Sequence, residues 1–253
     1  METEDLKKIL ADHKLWLNNE GGQGADLRRA DLQGADLQGA DLQGADLRRA
    51  YLQGADLQDA YLQGADLQDA DLRRADLRRA YLRSAYLRRA YLQGADLQDA
   101  DLRRADLRSA YLRSADLRSA DLQGAYIQGA YIQGVKNIPE YLINLYKKDL
   151  LYVLIHSKRE VPVLKEKLLK GEINGSQYEG ECCCLIGTLA KADGGMEVFV
   201  SQIPFYVKGL ENYSEQLFWQ IKEGDTPENN QFSKIALETI EFFEKNYLPK
   251  GKN

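Results

Sequence analysis

From Ala25 to Gly134 every fifth residue is alanine, and two positions beyond each alanine stands Leu, or Ile at Ile127 and Ile132. The unit Ala-[Asp/Tyr]-[Leu/Ile]-x-x repeats twenty-two times without a break. A helix turns about 100° per residue, so an apolar stripe of period five drifts ~140° per unit and cannot stay on one face. A straight strand fails too, because an odd period sends successive Leu side chains to opposite sides. The pattern closes if each unit is a short extended stretch followed by a corner. Ala points in, Asp or Tyr points out, Leu points in, and the last two residues turn the chain. Four corners restore the starting azimuth, so one coil takes about 20 residues and coils stack about 4.8 Å apart. The array therefore predicts an all-β solenoid of about 5.5 square coils, roughly 26 Å long.

The flanks follow other patterns. Residues 1–20 predict one amphipathic helix, with Thr3 as N-cap, Glu4 and Asp5 in the first turn, and Leu6, Ile9, Leu10, His13, Trp16 and Leu17 at helical spacing. Gly21 and Gly22 stop it. Without such a cap the first coil would expose unpaired edges, so this helix reads as the solenoid's N-terminal cap and His13 as a packed residue of it. After Gly134 the rhythm ends at Val135-Lys-Asn-Ile-Pro139. Residues 135–253 predict a mainly α-helical C-terminal domain. Pro139 suits a first helical position, and Leu142, Leu145, Tyr146, Leu150, Val153 and Leu154 form an apolar face through about His156. Further helices are expected at 161–170, 182–192, 214–222 and 231–247, the last carrying Ile235, Leu237, Ile240, Phe243 and Tyr247. The stretch 197–203 reads as a short strand or extended loop. The domains are then 1–24, 25–134 and 135–253.

Ala-Asp-Leu-x-x in long tandem resembles the signature of pentapeptide-repeat proteins. The resemblance implies a right-handed quadrilateral β-helix and says little about function, since one fold hosts many activities. The family tolerates Phe, Met, Cys, Ser and Asn at inward positions, whereas this array uses only Ala, Leu and Ile there. Such uniformity fits a recently expanded gene or a consensus-designed array. The run His13-x-x-Trp16-Leu17 before Gly-x-Gly-Ala-Asp-Leu is similar to the cap preceding many bacterial arrays. Ile173-Asn-Gly-Ser-x-Tyr-Glu-Gly180 and Lys222-x-Gly-Asp-Thr-Pro-Glu-Asn-Asn-Gln231 resemble a C-terminal module found after arrays in bacterial and phage-like proteins, a module that carries no mechanism with it.

Composition narrows the classes. Formal net charge is −5, which supplies no basic footprint for direct nucleic-acid binding. The acidic start lacks a signal peptide's basic and apolar regions, and no run approaches ~18 apolar residues, so a cytoplasmic protein without membrane contact is expected. The only cysteines, Cys182, Cys183 and Cys184, are adjacent. That excludes a disulfide framework and is poor spacing for zinc, whose ligands usually stand two to four residues apart. A nucleophilic Cys needs a base, and the chain has only His13 and His156. The cysteines read as small core residues, and no catalytic residue, metal or cofactor is expected.

The remaining signal is the rod's surface. Residue number modulo 20 sorts the units onto four faces. One carries Asp36, Asp56, Asp76, Asp96 and Asp116 in a file, with Asp59 and Asp99 beside it and Arg78, Arg79 and Arg118 in return, a balance of −4. The face of Leu27, Leu47 and Leu87 carries seven arginines against five aspartates, or +2, and a third face stacks Tyr91, Tyr111 and Tyr131. The acidic file and the tyrosines are the candidate interaction surface. Some members of the family resemble duplex DNA in size and charge and bind type II topoisomerases, and the file fits that role. Against it, 16 Arg and 17 Asp leave the array at −1, and such close opposite charges cancel within a Debye length of ~8–10 Å. Ice binding would want files of Thr, and the array has none. The sequence thus predicts a non-catalytic scaffold: a rigid rod presenting a helical domain to a protein partner. Dimerisation through the C-terminal domain and an enzymatic activity in that domain stay open.

Overall fold

Each outward residue of the array pairs in parallel with the residue twenty positions on, from Asp26 with Asp46 through Asp116 with Lys136. That constant offset makes one coil twenty residues and the section four-sided, as the period requires. The computed structural model describes residues 2–127, 129–156, 158–173, 221 and 224–248, and the chain divides into two compact units, Met1–Tyr141 and Leu142–Asn253. The four faces are numbered by their inward columns: first from Leu27, second from Leu32, third from Leu37, fourth from Leu42. The expected short strand shrinks to a single bridged residue per unit. The reason is that the Leu carbonyl already folds back to accept the N–H of the next Ala, as Leu47 does from Ala50 at 3.0 Å.

In the interior coils the N–H accounting of an Asp unit closes. In the unit 45–49, Ala45 N–H donates to Leu42 C=O (3.0 Å), Asp46 N–H to Ala25 C=O one coil back (2.9 Å), Leu47 N–H to Asp66 C=O one coil on (2.8 Å), and Arg49 N–H to Gln68 C=O (2.9 Å). The fourth N–H, of Arg48, faces outward and is accepted by Asp46 Oδ1 at 3.2 Å. Asp is thus the unit's own turn cap. The fifth residue of every unit has positive φ, from 55° at Ser119 to 71° at Gly124. Nine of these positions are Gly and the rest are Arg, Asp or Ser, which occupy the left-handed region at a cost of roughly 1–2 kcal/mol each.

The Leu and Ile columns are buried throughout, and Ala from Ala45 onward is buried with them. A buried Leu contributes roughly 1.5–3 kcal/mol, so the core is one continuous Leu/Ala column. In the first coil Ala30, Ala35 and Ala40 are only half-buried, because the cap lies over one corner of the coil.

That cap is α1 (Thr3–Leu17). Thr3 is its first helical residue; Glu2 is the N-cap, and no side chain caps the helix there. Of the expected apolar face only Leu6 and His13 are buried, while Trp16 is 44% exposed. The Trp16 ring lies over Gly24 and stacks on His13 at 5.4 Å, so the indole is a half-exposed lid. The helix ends before the glycines, with Asn18 as C-cap and Asn19 left-handed at φ 58°. Gly22 serves the return instead: a Cβ there would lie 2.2 Å from the Asp12 carbonyl.

In the second unit, α2 (Glu140–His156) buries Leu142, Tyr146, Leu150, Val153 and Leu154, with Leu145 half-buried. Pro139 sits just ahead of the helix rather than inside its first turn. α3 (Val161–Leu169) buries Val161, Leu164 and Leu168 and packs against α4 (Gln231–Tyr247). Asn230 caps α4 by accepting from Phe232 N–H (2.8 Å) and Ser233 N–H (3.0 Å). The buried face of α4 is Phe232, Ile235, Ala236, Ile240 and Phe243. Leu237 is half-buried and Tyr247 49% exposed, so the dry side of α4 is narrower than the spacing suggests. Lys165 of α3 ties the pair through Glu244 at 2.7 Å and Glu241 at 3.6 Å. The elements expected at 182–192 and 197–203 lie outside the described residues, as does 214–222 apart from Ile221, which is buried and not helical.

Candidate interaction surface

The acidic file is one vertical column on the third face, Asp36 bridged to Asp56, Asp76, Asp96 and Asp116 in turn and then to Lys136. The regular five-residue corner places each carboxylate over its own turn. Each Oδ1 accepts the N–H two residues on, from Gln38 (3.1 Å), Gln58 (3.0 Å), Arg78 (3.1 Å), Gln98 (3.0 Å) and Arg118 (3.0 Å). Only Asp36 is fully exposed; the others are half-buried. The column therefore holds the turns together before it offers charge to a partner.

Arginine neutralises part of it. Arg78 reaches Asp76 with Nε at 2.8 Å and Nη2 at 2.5 Å, and Arg118 Nη2 meets Asp116 at 3.1 Å. Burial pushes the Asp76 carboxyl up, and the hydrogen bonds from Arg78 outweigh it, leaving the group below the usual carboxylate range. At Asp116 burial again pushes up, and the Asn137 amide with Arg118 pulls further down. Elsewhere the same fork holds Asp26 at about 2, through the Arg28 side-chain hydrogen bond against a smaller desolvation effect.

The tyrosines stand on the second face, one corner before the acidic file. Tyr91, Tyr111 and Tyr131 form a ladder with ring centroids 4.9 and 4.8 Å apart and planes within 4°. The candidate residues thus make two neighbouring columns rather than one convergent site. Sequence reasoning missed a second ladder on the fourth face, Tyr61 on Tyr81 at 4.9 Å, which the same twenty-residue offset would have exposed. It also left unused a groove of about 770 Å³ on the first face, lined chiefly by Arg28, Arg29, Arg48, Arg49, Asp69 and Arg89.

No chemistry converges on either column. Among the described residues no three His, Cys, Asp or Glu side chains could hold a metal ion, and no helix is long and apolar enough to cross a membrane. His13 is committed to the cap. Cys182, Cys183 and Cys184 lie outside the described residues.

Comparison with known proteins falls on the array. The family model described as Pentapeptide repeats (8 copies) matches residues 25–64, 55–94, 85–124 and 100–136. A pentapeptide-repeat protein from Nostoc PCC 7120 is 34% identical over 47% of this chain and 93% of its own, with a TM-score of 0.36. One from the thylakoid lumen of Arabidopsis thaliana is 30% identical over 46% of this chain and 77% of its own, TM-score 0.36. QnrB1, a plasmid-mediated fluoroquinolone resistance protein, is 22% identical over 42% of this chain and 65% of its own, TM-score 0.21. No curated protein matches the chain.

Proposed function

The chain belongs to the pentapeptide-repeat family, and from that premise we propose that it is a non-catalytic interaction rod: a β-helix that presents a helical C-terminal domain to a protein partner. One observation carries the reading. Asp caps its own turn, and most arginines of the array reach a carboxylate of the rod, so the array is a stiff, near-neutral surface with no reactive cluster among the described residues. Rigidity of that kind suits a spacer or platform. The exposed tyrosine ladder supports partner binding, because Tyr is enriched at interfaces.

Mimicry of duplex DNA toward a type II topoisomerase is the second reading, and the unbroken Asp36–Asp116 column favours it. Asp76 and Asp116 are already paired with arginine, and Arg78 also comes within 3.9 Å of Asp96, which weakens it. A pull-down from the native host with the full chain and with each half as bait tests the first reading. A stable complex captured by the full chain supports it, and a turnover activity lost in Cys184→Ser would overturn it.

A further inference from the structure

The first and third faces lie on opposite sides of the square coil, and their charges run in complementary order. On the first face Arg28 and Arg29 outweigh Asp26 in coil one, and Arg48 and Arg49 outweigh Asp46 in coil two. Asp66 and Asp69 stand alone in coil three, Arg88 and Arg89 alone in coil four, and Arg108 balances Asp106 in coil five. On the third face Asp36 stands alone, then Asp56 with Asp59. Next, Arg78 and Arg79 outweigh Asp76, Asp96 stands with Asp99, and Arg118 balances Asp116. Coil by coil, +1, +1, −2, +2 and 0 face −1, −2, +1, −2 and 0.

Internal pairing takes up part of this, with Asp69 held by Arg89 at 2.8 Å, Asp59 by Arg79 at 2.5 Å and Asp66 lying 3.6 Å from Arg48, and what it leaves free still matches coil by coil. Among the described residues Arg29 and Arg88 have no carboxylate within 4.0 Å, and Arg49 reaches only Asp69 at 3.9 Å. Opposite them Asp36, Asp56 and Asp99 have no cation within 4.0 Å, and Asp96 only Arg78 Nε at 3.9 Å. The groove among Arg28, Arg29, Arg48, Arg49 and Arg89 makes the first face a shallow seat.

We propose that a second copy of this chain lays its third face on the first face of the rod, with the coils in register. The spacing selects this occupant: both columns repeat once per coil at about 4.8 Å, a rise that another such rod shares by construction. A nucleic-acid strand does not fit, since its uniform charge would meet Asp66 and Asp69 in coil three. A slip of one coil is penalised both ways. In one direction unpaired Arg88 loses Asp96 and Asp99 and meets the internally paired Asp116 and Arg118; in the other it meets Arg78 and Arg79. Like-charge contact of that kind sets register. The counts hold with the rods parallel or antiparallel, so the pairing specifies faces and register. Because the two faces are opposite, the contact does not close, and rods add into lateral rows.

The proposal deepens the interaction-rod reading by naming a partner for the rod's faces and rests on it, yet the two fail separately: a monomer that still captures a host protein sinks only this one. The test is sedimentation velocity on the full chain at about 20 mM and about 500 mM salt. Concentration-dependent growth in mass at low salt, reversed at high salt, is expected. Arg29→Gln/Arg49→Gln/Arg88→Gln should weaken association about tenfold, as should Asp36→Asn/Asp56→Asn/Asp96→Asn/Asp99→Asn, in which the amide oxygens at positions 36, 56 and 96 still cap their turns. Mixing the two variants should restore association but stop it at one-to-one pairs, since each keeps one intact face. A monomer at low salt, self-association indifferent to both variants, or a mixture that stays monomeric overturns the proposal.

Discussion

His13 Nδ1 accepts the backbone N–H of Ala25, the first residue of the array, at 2.9 Å. One imidazole, fully buried, thereby pins the cap to the first coil. An acceptor at Nδ1 requires the neutral ring, with the proton on Nε2. Burial lowers the His13 pKa below the ordinary 6.5, while Asp41 and the Gln43 carbonyl pull weakly the other way.

The folded state therefore binds this proton less readily than the unfolded one. Stability from His13 should be complete above pH 6.5 and fall as pH drops from there toward the folded pKa. Melting curves between pH 8 and about 5 should show that decline in the wild type. His13→Ala should flatten it while losing about 1–3 kcal/mol at neutral pH for the orphaned Ala25 N–H. An equal slope in both proteins would remove His13 from the cap's chemistry.

A mid-rod core substitution should be costly. Leu77 and Ala75 are both buried and packed between identical coils. Leu77→Ala should cost about 2–5 kcal/mol, and Ala75→Leu should be at least as damaging, because the backbone there has no room to yield. Chemical denaturation reads both, and unchanged midpoints would overturn the inward assignment.

The turns offer a stabilising change. Ser84 holds φ 58°, where glycine is relaxed and serine is not. Ser84→Gly should gain up to about 1 kcal/mol, less what glycine returns to the unfolded chain. Gly54 stands at φ 64°, and a Cβ added to it would meet nothing within 4 Å. Gly54→Ala should therefore lose about 1 kcal/mol from backbone strain alone. Thermal melts of the pair in opposite directions are the expected result.

Asp106 is the most buried of the array's capping carboxylates, 7% exposed, and accepts from Arg108 N–H at 3.2 Å and Nε at 2.8 Å. Burial pushes its pKa up and Arg108 pulls it further down, so the net shift is a lowering from 3.8. Its contribution should be intact above pH 3.8 and lost as pH falls through the folded value. Asp106→Ala should cost about 1–3 kcal/mol at pH 7 and Asp106→Asn less, since the amide oxygen still caps Arg108. Equal losses would assign the effect to charge rather than to the cap.

No inhibition of gyrase supercoiling is expected at micromolar protein. Inhibition that weakens in Asp36→Asn/Asp56→Asn/Asp96→Asn would replace the scaffold reading with duplex mimicry.

The five-residue period by itself determined the core of this protein. A period that is neither helical nor two-fold admits only a four-cornered coil, so the inward Ala and Leu columns and the twenty-residue face assignment follow before any contact is known. The family resemblance was legible for the same reason. The helix in residues 3–17 was legible from its spacing, but which side it buries was not, because Trp16 lies against His13 and Gly24 and stays half-exposed. Tyr247 misled in the same way: its spacing fits an apolar face, yet at the last turn of α4 it stacks on Phe243 with half of its surface exposed.

Only the tertiary structure decided how the charges are used. Composition counts Asp36 and Asp76 alike, whereas the folded turn gives each an N–H to cap and gives Asp76 an arginine besides. It also decided that Ala30, Ala35 and Ala40 stay half-open, since one helix cannot cover a whole square end. Pairing across coils depends on three-dimensional stacking, and a linear chain holds the period of that stacking without the distances that turn it into bonds.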